Sequence, residues 1–208
     1  MSPDFIISAF VTLMVVVDPI GLAPAFIGIT HGFDAPSRRS IALRASLIAA
    51  CILIGTALIG DPLLRWLGIT LPAFQIAGGL LLFSIAAEMV YGTRSERETR
   101  AAEQAVEEQI RNIAAFPLAI PLLAGPGAIA ATVLLAGHAR DPLTFAALLG
   151  VIGVVCVVSL LVFCFAGAIK RFLGVTGNIV LSRLLGVILA ALAVQYVIDG
   201  ARTALKGL

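Results

Sequence analysis

Long apolar runs alternate with short polar stretches along this chain. Residues 5–30, 41–60, 72–92, 113–136, 143–168 and 178–200 are apolar throughout most of their length. A helix that crosses a bilayer needs about 20 such residues, so the pattern predicts six spans. The polar stretches at 31–39 and 61–71 read as loops, and Arg65-Trp66 suits a membrane-interface anchor. Only 93–112 is strongly hydrophilic, with Arg94, Glu96, Arg97, Glu98, Arg100, Glu103, Glu107, Glu108 and Arg111. Its Ala, Glu and Arg content favours helix, and it reads as a surface helix joining two halves.

Two of the runs are interrupted. The first carries Asp18-Pro19-Ile20-Gly21 near its middle. Asp is a good N-cap and Pro suits the first helical position, so a second half-helix is expected to start at Pro19, inside the membrane. A carboxylate there costs at least about 2.5–3.5 kcal/mol and marks a functional position. The fourth run is broken by Gly125-Pro126-Gly127, with glycine at the cap position. Paired interruptions in two halves point to a transporter binding site.

The halves also match each other. Trp66-Leu67-Gly68-Ile69-Thr70 resembles Phe172-Leu173-Gly174-Val175-Thr176, and 78–92 aligns without a gap on 186–200. That register sets Gln75 against Arg183 and Ala87 against Gln195. An odd number of spans per half makes the second half enter from the opposite side. The expected fold is therefore an all-α membrane protein of six transmembrane helices, an inverted 3+3 repeat with a broken first helix in each half. Repeat one is 1–92, a cytoplasmic linker covers 93–112, and repeat two is 113–208. Ala77, Gly78, Gly79, Gly186, Ala190 and Ala193 are small residues at helical spacing, suited to close helix contact.

Composition agrees. The 208 residues are 60% hydrophobic and 12% charged, against about 25% charged in soluble domains. Arg38, Arg39, Arg94, Arg97, Arg100, Arg111, Lys170 and Arg171 fall on one side of the six-span layout; Arg65, Arg140, Arg202 and Lys206 fall on the other. The positive-inside rule makes the first side cytoplasmic and leaves both termini in the periplasm. The N-terminal run has no basic stretch or small-residue cleavage site, so it reads as a retained span. Cys51, Cys156 and Cys164 lie in apolar runs without metal or redox spacing, and His31 and His138 fall in short loops. Gly125-Pro126-Gly127-Ala128-Ile129-Ala130 lacks the third glycine of a dinucleotide fingerprint. No nucleophile elbow, zinc-protease helix or phosphate loop is present. No enzyme, cofactor or nucleic-acid partner is expected.

The chemistry expected at the breaks follows from their difference. Half-helix N-termini carry roughly half a positive charge and bind anions. At Gly125-Pro126-Gly127 no side chain competes for the free N–H groups, so a substrate carboxylate fits there. Asp18 offers an acceptor for an ammonium group. One positive and one negative subsite suit a zwitterion, most simply an α-amino acid. The plainer reading makes both breaks kinks and Asp18 only a cap. Glu88 and Arg183 read as reaching water at their span ends, with a Glu88–Arg183 gate as the sharper alternative. Gln195 is a weaker substrate contact.

Three segments carry a family resemblance. They are Val17-Asp18-Pro19-Ile20-Gly21 with Pro24, Ala115-Phe116-Pro117-Leu118-Ala119-Ile120-Pro121 running into Gly125-Pro126-Gly127-Ala128-Ile129, and Arg183-Leu184-Leu185-Gly186 with Ala193-Val194-Gln195 and Gly200. The chain resembles the MarC family of bacterial inner-membrane proteins, relatives of the LysE-type exporters. Leu22-Ala23 departs from it, where a polar residue is expected in many members. The resemblance implies six spans, the inner membrane and, through SnatA-type members, transport of alanine- or glycine-like neutral amino acids. Asp18, Pro19, Gly21, Gly125, Pro126, Gly127 and Gln195 form the expected substrate site. A coupled proton or sodium ion and a homodimer stay open as partners. So do a regulatory or scaffold role and efflux of another solute.

Overall fold

The computed structural model describes residues 3–94, 97–100, 112–139 and 141–206. The described chain is helical, in the order α1 (Pro3–Val17), α2 (Ala23–Ile29), α3 (Ala35–Trp66), α4 (Leu71–Tyr91), α5 (Ala114–Leu123), α6 (Pro126–His138), α7 (Pro142–Cys164) and α8 (Ala166–Lys206). Most starts have a local cause. Thr70 accepts the Ala73 N–H at 3.3 Å ahead of α4, and Asp141 accepts the Thr144 N–H at 2.9 Å ahead of α7. Each is an N-cap followed by a proline in the first turn. Gly92, at φ +85°, ends α4 in the left-handed conformation that glycine adopts without a Cβ clash.

Among the described residues four helices are long and apolar enough to cross a membrane: α3, α4, α7 and the Thr176–Lys206 part of α8. A fifth span results if α5 and α6, bent by 58° at their junction, are taken together. The first run divides into the short helices α1 and α2, neither of which reaches spanning length. Several boundaries differ from expectation. α3 continues through Asp61 and Pro62 to Trp66, with Asp61 and Arg65 paired at 2.9 Å across its last turn, so the loop before α4 is only 67–70. α8 begins at Ala166, breaks at Gly174 (φ +64°) and runs on to Lys206. Most of the linker, including Glu96, Glu103, Glu107, Glu108 and Arg111, lies outside the described residues, as does Arg140.

α4 and α8 form the most extensive helix pair, and glycine makes it close. A Cβ on Gly79 would stand 2.8 Å from the Ala193 carbonyl oxygen. One on Gly186 would stand 2.8 Å from Met89 Cβ, and one on Gly200 2.9 Å from the Pro72 carbonyl oxygen. These contacts run in opposite senses along the two helices, so the pair is antiparallel. Backbone approach of this kind holds helices together where lipid supplies no hydrophobic drive between them. α6 packs antiparallel on the other side of α4, through Gly78 against Leu134 and Gly137 against Leu71. Phe26 of α2 stacks on Phe163 of α7 at 4.6 Å between ring centroids. Leu47, Leu80, Val157 and Leu184 face outward, as expected of a surface that meets hydrocarbon.

Candidate functional site

At the first break Asp18 takes φ +47°, a left-handed conformation that Asp tolerates better than most residues. Its Oδ1 accepts the Gly21 N–H at 3.0 Å, and its carbonyl accepts the Leu22 N–H at 3.1 Å. The capping chemistry read from the sequence is present, but it closes a turn over 19–22. The α-helix starts at Ala23, not at Pro19 as expected, with Leu22 in the N-cap position and a proline in the first turn. Asp18 is 3% exposed, Pro19 is buried, and Ser182 of α8 lies within hydrogen-bonding reach of the carboxylate. Gly21 is required for space: a Cβ there would fall on Asp18 Oδ2.

The second break follows expectation more closely. Gly125 is the N-cap residue of α6, with Pro126 next. Upstream, Phe116 and Ile120 are extended, each pushed from helical geometry by the proline that follows it. The side of each glycine on which a Cβ would stand is already occupied. A Cβ on Gly127 would fall on Ile85 Cδ1 and 3.3 Å from Val16 Cγ1, and one on Gly125 would stand 2.5 Å from the Pro121 carbonyl oxygen. Gly127 therefore abuts the end of α1, which brings the two breaks together beside the C-terminal half of α4.

Between them stands a residue pair that the sequence placed on a surface helix. Arg94 and Glu98 are each 7% exposed. Arg94 Nε donates to Glu98 Oε1 at 2.8 Å, its Nη2 donates to the Val16 carbonyl at 2.9 Å, and its Nη1 meets Met89 Sδ at 3.3 Å. The Val16 bond places a cation on the C-terminal carbonyls of α1, where the helix dipole favours it. Arg94 interacts electrostatically with both Asp18 and Glu98. The i,i+4 spacing of Arg94 and Glu98 was the available sequence signal.

Two cavities share this pair. One of about 410 Å³ touches Ser84, Glu88, Arg97, Gly125, Pro126 and Gly127; the other, about 260 Å³, touches Asp18, Gly21, Asn178, Ser182 and Arg183. Arg94 and Glu98 line both. Glu88 pairs with Arg97 at 3.0 Å, so it does not form the alternative gate with Arg183. Gln195 does not join the other site residues. It is exposed on α8, donates to Asp199 at 2.9 Å and lines neither cavity. His138 ends α6, with Nδ1 at 2.7 Å from the Leu134 carbonyl and Nε2 at 3.4 Å from the Gln75 side-chain nitrogen.

Residues 3–205 match the family described as MarC family integral membrane protein. The chain belongs to this family. Among relatives of this MarC family member, a UPF0056 membrane protein of Aquifex aeolicus is 37% identical over 96% of this chain and 94% of its own length. One of Archaeoglobus fulgidus is 38% identical over 95% and 92%. The Escherichia coli UPF0056 membrane protein YhcE is 32% identical over 96% and 93%. No solved structure gives a significant match. The MarC chain is thus an integral, multi-pass helical membrane protein, whose interrupted first and fourth runs converge on a buried ion pair.

Proposed function

We propose that this MarC family protein is a secondary transporter or exporter of small neutral amino acids that works by alternating access in the bacterial inner membrane. The observation that carries the reading is the convergence of both interrupted helices on Arg94 and Glu98, which line two cavities. Kinks alone would not need three enclosed charges, since ionisable groups at membrane depth are costly unless they serve a pathway. Asp18, Pro19, Gly21, Gly125, Pro126 and Gly127 surround that pathway. Resemblance to SnatA-type proteins of the LysE group supplies the substrate class.

The six-span inverted repeat is part of the proposal. In it α1 with α2, and α5 with α6, are the broken first spans of the two halves, and both termini face the periplasm. Contact symmetry supports this. The register that aligns Gln75 with Arg183 also aligns Gly92 with Gly200. Gly200 sits beside Gln75, and Gly92 beside Arg183. Likewise α3 packs on α5 while α7 packs on α1, and α4 packs on α6 while α8 packs on α2.

Counterflow of labelled alanine in proteoliposomes, with a panel of competing solutes, tests the reading. Exchange that glycine and alanine compete for, and that Asp18→Asn abolishes, supports it. Absence of any exchange favours a scaffold role. Exchange of other solutes without amino-acid competition moves the function to their efflux.

A further inference from the structure

We propose that the 260 Å³ cavity beside the first break is the zwitterion site, with Arg94 anchoring the substrate carboxylate and Asp18 accepting the ammonium group. This refines the amino-acid transport reading and rests on it. It moves the anionic subsite away from Gly125-Pro126-Gly127, where the sequence had placed it.

The hydrogen bonding of Arg94 carries the argument. A buried guanidinium binds best through two parallel N–H bonds to one carboxylate. Glu98 takes only the Nε donor, at 2.8 Å. Nη2 is held by the Val16 carbonyl, and Nη1 faces Met89 Sδ at 3.3 Å. A thioether is a weak acceptor. Met89 lines this cavity and not the larger one, so Nη1 is the underused donor on its wall. The methionine side chain is flexible and can withdraw. An entering carboxylate offers Nη1 a far stronger acceptor than the sulfur does.

The opposite charge is equally placed. Asp18 takes the Gly21 N–H and has Ser182 within hydrogen-bonding reach; a carboxylate offers about four acceptor sites, so capacity remains for an ammonium proton. Ser182 and Asn178 add neutral polar groups, and Arg183 reaches the same wall. Among the described residues the charged lining comprises two carboxylates, Asp18 and Glu98, and two guanidiniums, Arg94 and Arg183. A net-neutral zwitterion enters without unbalancing them, whereas a simple cation or anion leaves a buried charge uncompensated. The cavity has room for a solute with few side-chain atoms. At the second break Gly125 and Gly127 line the larger cavity, with Ile85, Val16 and the Pro121 carbonyl on the sides where a Cβ would stand.

The test is equilibrium binding of L-alanine, L-alaninamide and acetate to the full-length protein in nanodiscs, with alanine counterflow in parallel. L-Alaninamide keeps the ammonium group and lacks the carboxylate. The wild type is expected to prefer L-alanine over L-alaninamide by about tenfold or more, the scale of one charge-assisted bond. Arg94→Gln removes that preference and acetate binding. Arg94→Lys keeps the charge without the fork, covers loss of folding in the first variant, and lowers the preference with an unchanged elution profile. Asp18→Asn weakens both ammonium ligands and spares acetate. A preference that survives both Arg94 variants overturns the assignment, as does a wild type that binds neither alanine nor acetate. Arg94-dependent acetate binding without alanine exchange retains the carboxylate anchor and overturns amino-acid transport.

Discussion

Gly21→Ala isolates the geometry of the first break. The added Cβ would fall on Asp18 Oδ2, 2.7 Å from its Cγ and 3.0 Å from Oδ1. All the nearest atoms belong to one carboxylate, so the carboxylate must withdraw by roughly 1 Å to reach ordinary contact distance. That motion breaks the 3.0 Å bond from the Gly21 N–H. Hydrogen bonds to charged groups contribute about 1.5–3 kcal/mol, whereas Gly→Ala at a compatible site stabilises by about 0.4–1 kcal/mol. Gly21 is not among the glycines with positive φ, so no dihedral penalty confuses the comparison. The expected net loss is about 1–2 kcal/mol. Gly28→Ala in α2 is the control, because nothing lies within 4 Å of its Cβ position; it should gain up to about 1 kcal/mol. Denaturant titration in mixed micelles measures both. A Gly21→Ala protein that unfolds at or above the midpoint of Gly28→Ala would refute the claim that glycine is there to seat the carboxylate.

The helix interface, the buried pair and the α7 cap each make a further prediction. Gly79→Val forces α8 away, because the obstruction is the backbone at Ala193 and Val197; it should cost about 1–3 kcal/mol by micelle unfolding. Gly55→Val, with open space around its Cβ, should be near neutral. Arg94→Ala leaves Glu98 buried without its partner and should cost about 3–5 kcal/mol, most of which Arg94→Met with Glu98→Leu recovers. Asp141, outside the spans, is held below its usual carboxyl range by hydrogen bonds from the Thr144 hydroxyl and N–H. Its contribution is therefore complete at neutral pH and is lost as pH falls through that lowered value. Asp141→Ala should lower the thermal midpoint at pH 7 and remove this part of the acid dependence, read from unfolding scans across pH.

The sequence made legible whatever depends on neighbours along the chain. Long apolar runs located α3, α4, α7 and α8, and Gly125-Pro126 marked the start of α6 because cap and first-turn preferences act locally. Asp18-Pro19 was legible by half. Its capping bond forms, yet a second proline at 24 sets where the helix can restart, so the turn persists to Leu22. Arg94 and Glu98 were misplaced because polarity reports the cost of burial for a lone residue, and a hydrogen-bonded pair carries a different cost. Gln195 was misplaced for the converse reason: Asp199, one turn on, satisfies it on an exposed face. The small residues at helical spacing marked the faces on which α4 and α8 meet, but nothing along the chain showed how the surroundings of the two breaks differ. Asp18 shares a cavity with Arg94 and Ser182, while Gly127 lies against Ile85 and Val16. In the proposed cycle equivalent halves exchange roles, so they must differ in any single state. A buried carboxylate at the first break, and glycines with apolar neighbours at the second, are a difference of the kind that the proposed cycle calls for.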